Sequence, residues 1–139
     1  MLTNIFKQNV KKNISFEDIQ NIIRYNSSKY IIINTLLACD QECLISNTVN
    51  YHNEETTINN LINQYEYYDK TIIIYGRNSN DETTETKYTQ IKSLGFKNVY
   101  IYKGGLFEWL MLQDIYGKDL FPTTTEILDI LRYKPENIL

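Results

Sequence analysis

The sequence predicts an α/β fold with a parallel sheet covered by helices on both faces, and three observations carry that expectation. Tyr30-Ile31-Ile32-Ile33, Thr71-Ile72-Ile73-Ile74-Tyr75 and Asn98-Val99-Tyr100-Ile101-Tyr102 are short, β-branched and nearly continuously apolar. Such runs suit strands buried on both faces rather than half-solvated ones. Segments of helical periodicity separate them, and strands alternating with helices imply parallel pairing. Asn, Gly and Asp residues punctuate each change of period.

The elements follow in order. Ser15 and Asp18 form a capping-box pair, and Phe16, Ile19, Ile22 and Ile23 make one apolar helical stripe. Asn26-Ser27-Ser28 ends that helix before the first strand. Residues 34–53 are polar and irregular, with Leu44-Ile45 as the apolar anchor. Residues 54–65 read as a helix with Glu54 and Glu55 in its first turn and Ile58, Leu61, Ile62 and Tyr65 on one face. After the second strand, residues 76–81 form a loop, Asp81 is placed to cap the next helix, and Gly95 closes it. The third strand leads to a Gly104-Gly105 turn and a helix from Leu106 to Tyr116, ended by Gly117. Phe121-Pro122 stops regular structure, and one short helix is expected over residues 125–131. No linker, repeat or low-complexity block divides the chain, so residues 1–139 are expected to form one domain.

Composition excludes several classes. At 42% hydrophobic and 22% charged residues the chain is globular in profile, and a net charge of −3 gives no field for gripping nucleic acid. Met1-Leu2-Thr3-Asn4-Ile5-Phe6-Lys7 lacks an apolar export core and a small-residue cleavage site. No run approaches the roughly 18 apolar residues of a membrane span. Cys39 and Cys43 read as free thiols of a reducing compartment, so a cytoplasmic protein is expected. Ile, Asn, Tyr, Thr and Lys are abundant and Ala38 is the only alanine. These residues have AT-rich codons, which fits a large DNA virus or an AT-rich protist; for a virus, the place would be host cytoplasm or particle.

In an open parallel sheet, function gathers where strand exits meet helix N-termini. Gly76, Arg77, Asn78, Ser79, Asn80 and Asp81 form the best such loop, whose backbone N–H groups can make an electropositive cradle. Downstream, Leu94-Gly95-Phe96-Lys97-Asn98-Val99-Tyr100 precedes Gly104-Gly105-Leu106-Phe107-Glu108-Trp109. In this order and spacing, with Gly95, Phe96, Gly104, Gly105 and Trp109 as its structural residues, the sequence resembles the rhodanese-like domain family. That family has a strand ending in Tyr-Cys-Arg, an active-site loop and helix, then Gly-Phe-x-x-Val-Tyr, a Gly-Gly turn and a Trp. Ile14-Ser15-Phe16-Glu17-Asp18, Ile33-Asn34-Thr35-Leu36 and Glu42-Cys43-Leu44-Ile45-Ser46-Asn47-Thr48 match other family segments more loosely. The resemblance covers about residues 14–117, leaving 118–139 as a C-terminal extension. It implies a five-stranded parallel sheet with helices on both sides.

The resemblance also implies a departure. The family's loop begins with a Cys whose thiolate carries sulfane sulfur; here Tyr-Cys-Arg is Tyr75-Gly76-Arg77. Glycine offers no nucleophile. The family's Asp-x-Arg after the first strand is the uncharged Asn34-Thr35-Leu36, and Asp81 and Glu82 at the loop exit should repel anions. A binding or regulatory module without sulfurtransferase activity, acting on a protein partner or small anion, is therefore expected. One alternative is a sulfur carrier using Cys39 or Cys43, although Asp40 and Glu42 beside them disfavour a thiolate. Another is a structural or packaged protein presenting the surface of residues 106–124. No cofactor is expected, and no metal, since Cys39, Cys43 and His52 are too few for a zinc site. Tyr65, Tyr67 and Tyr68 could add an aromatic contact surface but read mainly as packing.

Overall fold

The computed structural model describes residues 12–139, so the reading of Met1 to Lys7 lies outside the described residues. Four strands form one all-parallel sheet: β1 (Asn13–Ile14), β2 (Tyr30–Asn34), β3 (Thr71–Tyr75) and β4 (Asn98–Tyr102), in the order β1-β4-β3-β2. Among the described residues four helices accompany them: α1 (Phe16–Tyr25), α2 (Glu54–Asn63), α3 (Thr83–Ser93) and α4 (Gly105–Tyr116). The register pairs Asn34 with Tyr75 and Tyr75 with Tyr102. The three long strands therefore end level, and their exit loops share one rim.

Alternation along the buried strands divides the core. Ile32, Ile73, Tyr75 and Tyr102 pack with Ile19, Leu106, Trp109 and Leu110 on the side of α1 and α4. Ile33, Ile72, Ile74 and Val99 pack with Ile58, Leu61 and Ile91 on the side of α2 and α3. Ile33, Ile72 and Ile74 are fully buried, each contributing about 1.5–3 kcal/mol relative to exposure. At the start of α1 the Ser15 N–H donates to Asp18 Oδ2 at 3.1 Å, as the capping pair predicts.

Three expectations need correction. The resemblance implies five strands, but the described residues hold four. At the edge beside β2, only Thr48 bridges Ile32, with the Val49 N–H donating to Ile32 O at 2.8 Å. Asn47 there is left-handed at φ 70° and the Thr48 hydroxyl donates to Ile45 O at 2.6 Å, and such local bonds compete with a ladder. The second helix stops at Asn63, since Tyr65 takes φ 57°. The helix expected over residues 125–131 is instead a 3₁₀ turn at Ile130–Tyr133. Before that turn the chain is held extended against residues 42–45: Thr123 bridges Ile45, the Thr124 N–H donates to Leu44 O at 2.8 Å, and Thr125 Oγ1 donates to Glu42 O at 2.9 Å. Groups committed across the chain cannot nucleate a helical turn.

Candidate functional site

The loop leaving β3 lies on the common rim, between the exits of β2 and β4. Gly76 is buried at its start. Asp81, five residues on, folds back over it: Asp81 Oδ2 accepts the Arg77 N–H at 2.9 Å, while Oδ1 accepts the Thr83 N–H at 3.0 Å and the Thr83 hydroxyl at 2.5 Å. The sequence suggests a carboxylate at the loop exit that repels incoming anions. In the structure Asp81 turns inward, takes a loop N–H as its partner, and also bonds the Thr83 N–H at the start of α3, although Glu82 is the residue that immediately precedes that helix. A Cβ built on Gly76 would lie 2.5 Å from Asp81 Oδ2 and 2.9 Å from Thr84 Cγ2. The two positions compete for one volume.

The β4 exit fixes the loop from below. Two N–H groups of the first turn of α4, from Leu106 and Phe107, donate to Gly76 O and Arg77 O, each at 2.9 Å. Such unpaired donors exist at every helix start; here they grip a neighbouring loop. The close approach needs Gly105, which sits at φ 70° and whose Cβ would meet Gly76 O at 2.8 Å and Asn78 N at 3.0 Å. Gly104 lies against Glu108, which accepts the Tyr102 hydroxyl at 2.7 Å. Burial and that carboxylate push the Tyr102 phenol well above its ordinary value. Trp109, fully buried, donates to Pro122 O at 3.1 Å and stacks edge-on to Phe121 with centroids 5.0 Å apart. Gly95 closes α3 with its N–H on Lys92 O, and Phe96 packs into the α2–α3 side.

From the β2 exit, Asn34 and Gln41 form a reciprocal amide pair at 3.1 and 2.7 Å, and Asn34 Oδ1 accepts the Leu36 N–H. Thr83 Oγ1 reaches Thr35 Oγ1 at 2.8 Å. A neutral amide thus organises this turn. Beneath the rim Tyr75 is fully buried, its hydroxyl 2.8 Å from Thr48 Oγ1 and accepting the Ile45 N–H at 3.2 Å. Burial pushes this phenol up as well.

The C-terminal segment completes the site, and sequence reading missed its part. Asp40, buried at 3% exposure, accepts Arg77 Nη1 at 3.3 Å and Arg132 Nη2 at 2.6 Å. Arg132 Nη1 reaches Glu42 at 2.9 Å. Arg77 also donates to Arg132 O, and Asn78 Nδ2 to Tyr133 O at 2.9 Å. Both guanidiniums flank the Tyr133 ring, at 5.4 and 5.5 Å from its centroid. The ring is fully buried and its hydroxyl has no partner among the described residues. No local signal marks these contacts, which join residues 37 to 92 positions apart. Of the predicted donors, Arg77 and Asn78 are thus engaged internally, while Ser79 and Asn80 are exposed. The two thiols separate: Cys39 is exposed, and Cys43 is fully buried with its thiol 3.5 Å from Thr125 O. His52 is exposed and stacks on Tyr51 with centroids 4.0 Å apart. Among the described residues no cluster of three metal-ligating side chains occurs, and no helix is long and apolar enough to cross a membrane.

The model of the family described as rhodanese-like domain matches residues 6–112. The chain belongs to the rhodanese-like domain family. Solved structures agree on the fold. The rhodanese-like domain of the Alr3790 protein from Anabaena is 19% identical, with 92% of this chain and 87% of that one covered and a TM-score of 0.59. The BH2092 protein of Bacillus halodurans is 20% identical over 84% and 81%, with a TM-score of 0.60. The single-domain sulfurtransferase RDL2 of Saccharomyces cerevisiae is 17% identical over 82% and 98%, with a TM-score of 0.57. No curated protein matched the chain. Within the rhodanese-like fold, the Gly76–Asp81 loop is the connection from a central strand to the helix that follows it.

Proposed function

We propose that this rhodanese-like domain is a non-catalytic binding module, and that its partner is a protein rather than a sulfur donor. In the family a loop cysteine takes sulfane sulfur as a persulfide, and the loop N–H groups stabilise the anion. By the order of its motifs Gly76 stands at that cysteine's position, and it has no side chain to attack with. The observation that carries the reading is the Asp81 carboxylate, 2.5 Å from where a Cβ on Gly76 would lie and already bonded to the Arg77 N–H. A thiolate and this carboxylate are both anionic and claim the same volume, so the loop is organised around Asp81 instead of a sulfur anion. Arg77 and Asn78 hold the C-terminal segment through the Arg132 and Tyr133 carbonyls.

The test is sulfur acceptance. Purified chain is incubated with thiosulfate, then assayed for thiocyanate formation with cyanide and weighed by mass spectrometry. No turnover and no cyanide-labile gain of one sulfur atom is expected. Turnover, or a persulfide that vanishes on Cys39→Ser replacement, would sink the non-catalytic reading.

A further inference from the structure

The loop's side chains read a stretch of polypeptide. Arg77 and Asn78 donate to two consecutive main-chain carbonyls, those of Arg132 and Tyr133. Main-chain contacts of this kind hold any segment of suitable shape, while side-chain pockets choose among them. Here both pockets are defined. Asp40 and Glu42 share one guanidinium, at 2.6 and 2.9 Å, the charge-assisted geometry that favours arginine over lysine. The next residue's ring is fully enclosed, with Arg77 at its face.

We propose that Asp40, Arg77 and Asn78 form a peptide-recognition site whose intramolecular occupant is the chain's own Arg132-Tyr133, and that it accepts a partner protein's segment in which an arginine precedes an aromatic residue. This rests on the binding-module reading and adds the partner's chemistry. Two observations mark the occupant as replaceable. The Tyr133 hydroxyl is buried without a partner, so the pocket fits a phenyl ring better than the phenol it holds. Beyond Tyr133 the chain runs along a cleft of about 580 Å³ whose walls carry both signs, Asp81 and Glu82 beside Arg77 and Lys134, and Ile138 lines it while staying 91% exposed. The end of the segment, exposed at Ile138, is thus weakly held.

An intramolecular occupant competes at an effective concentration on the order of millimolar or more, so the experiment weakens it first. Full-length chain and its Arg132→Ala variant, in which Tyr133 stays to fill the core, are titrated by calorimetry. The probes are a synthetic peptide of residues 126–139, the same peptide carrying Tyr133→Phe, and one with alanine at both 132 and 133. The Arg132→Ala chain is expected to bind the first peptide about tenfold or more tightly than the unaltered chain does, the phenylalanine peptide more tightly still, and the alanine peptide not detectably. Hydrogen exchange on the unaltered chain gives a second measurement: excess peptide should release the amides of residues 130–134 while Ile72, Ile73 and Ile74 stay protected. Equal binding by both chains, no binding by the variant, or unchanged exchange at 130–134 overturns the proposal. A persulfide in the sulfur assay would overturn the binding-module reading by a separate signal.

Discussion

Gly76 and Asp81 occupy one volume between them: the carboxylate of Asp81 bonds the Arg77 N–H at 2.9 Å, and a Cβ on Gly76 would stand 2.5 Å from that same oxygen. A side chain at 76 and a folded-in carboxylate at 81 exclude each other. The loop's conformation follows from that pair more than from either residue.

Placing a cysteine at position 76 alone should therefore fail to make a sulfur acceptor. Gly76→Cys is expected to lose about 1–3 kcal/mol of stability through overpacking and to accept no sulfur. Adding Asp81→Gly should recover most of the loss, and urea unfolding of both single variants and the double variant gives the coupling directly. Additive effects would show that Asp81 does not obstruct position 76.

Tyr133 supplies a change of the opposite sign. Its hydroxyl is buried without a partner, and removing an unsatisfied polar group while keeping the ring should stabilise the chain by about 1 kcal/mol. Tyr133→Phe is measured by its urea midpoint at constant slope. A lower midpoint would mean that the hydroxyl is bonded in solution.

Gly105 holds the loop close to α4. With φ at 70° and Gly76 O 2.8 Å from any added Cβ, Gly105→Ala combines backbone strain with a steric clash against main chain. A loss of about 2 kcal/mol or more is expected, with faster exchange of the Leu106 and Phe107 amides that bond the loop. Stability within error of the parent would place this turn further from the loop than described.

Buried phenols give the chain an alkaline limit, Tyr75 and Tyr102 foremost. Tyr75 and Tyr102 both titrate above the ordinary 10.0, chiefly because burial penalises the phenolate. The unfolded chain gives up those protons first. Their contribution is therefore fully present below pH about 10 and is lost as pH rises through the folded values. Urea midpoints should fall steadily above that pH, and Tyr75→Phe should flatten the fall. A profile that is flat there, or identical in the variant, would contradict it.

The thiols should separate by access alone. Cys39 is exposed and Cys43 fully buried, so a thiol reagent should label one site in the native chain and two after unfolding. Prompt labelling of Cys43 would mean that the segment over Thr125 opens readily.

What the sequence by itself determined is what short-range chemistry writes. The isoleucine runs specify buried strands because a residue apolar on every side has nowhere else to go. Asn26, Gly95 and the Gly104-Gly105 pair mark where the backbone must turn, and the motif spacing around Phe96 and Trp109 pointed to the family that the match over residues 6–112 establishes. Only the tertiary structure decided what fills the loop. An aspartate at position 81 reads equally well as a solvent-facing repeller or an inward partner for an N–H, and the choice depends on the room that Gly76 leaves. The fifth strand shrank to a single bridge for the same kind of reason: the Thr48 hydroxyl found a local partner in Ile45 O. Asp40, Arg77, Arg132 and Tyr133 carry no shared local pattern. They meet because a parallel sheet brings strand exits to one rim, and because the extended pairing of residues 123–125 with 42–45 carries the chain's end across it.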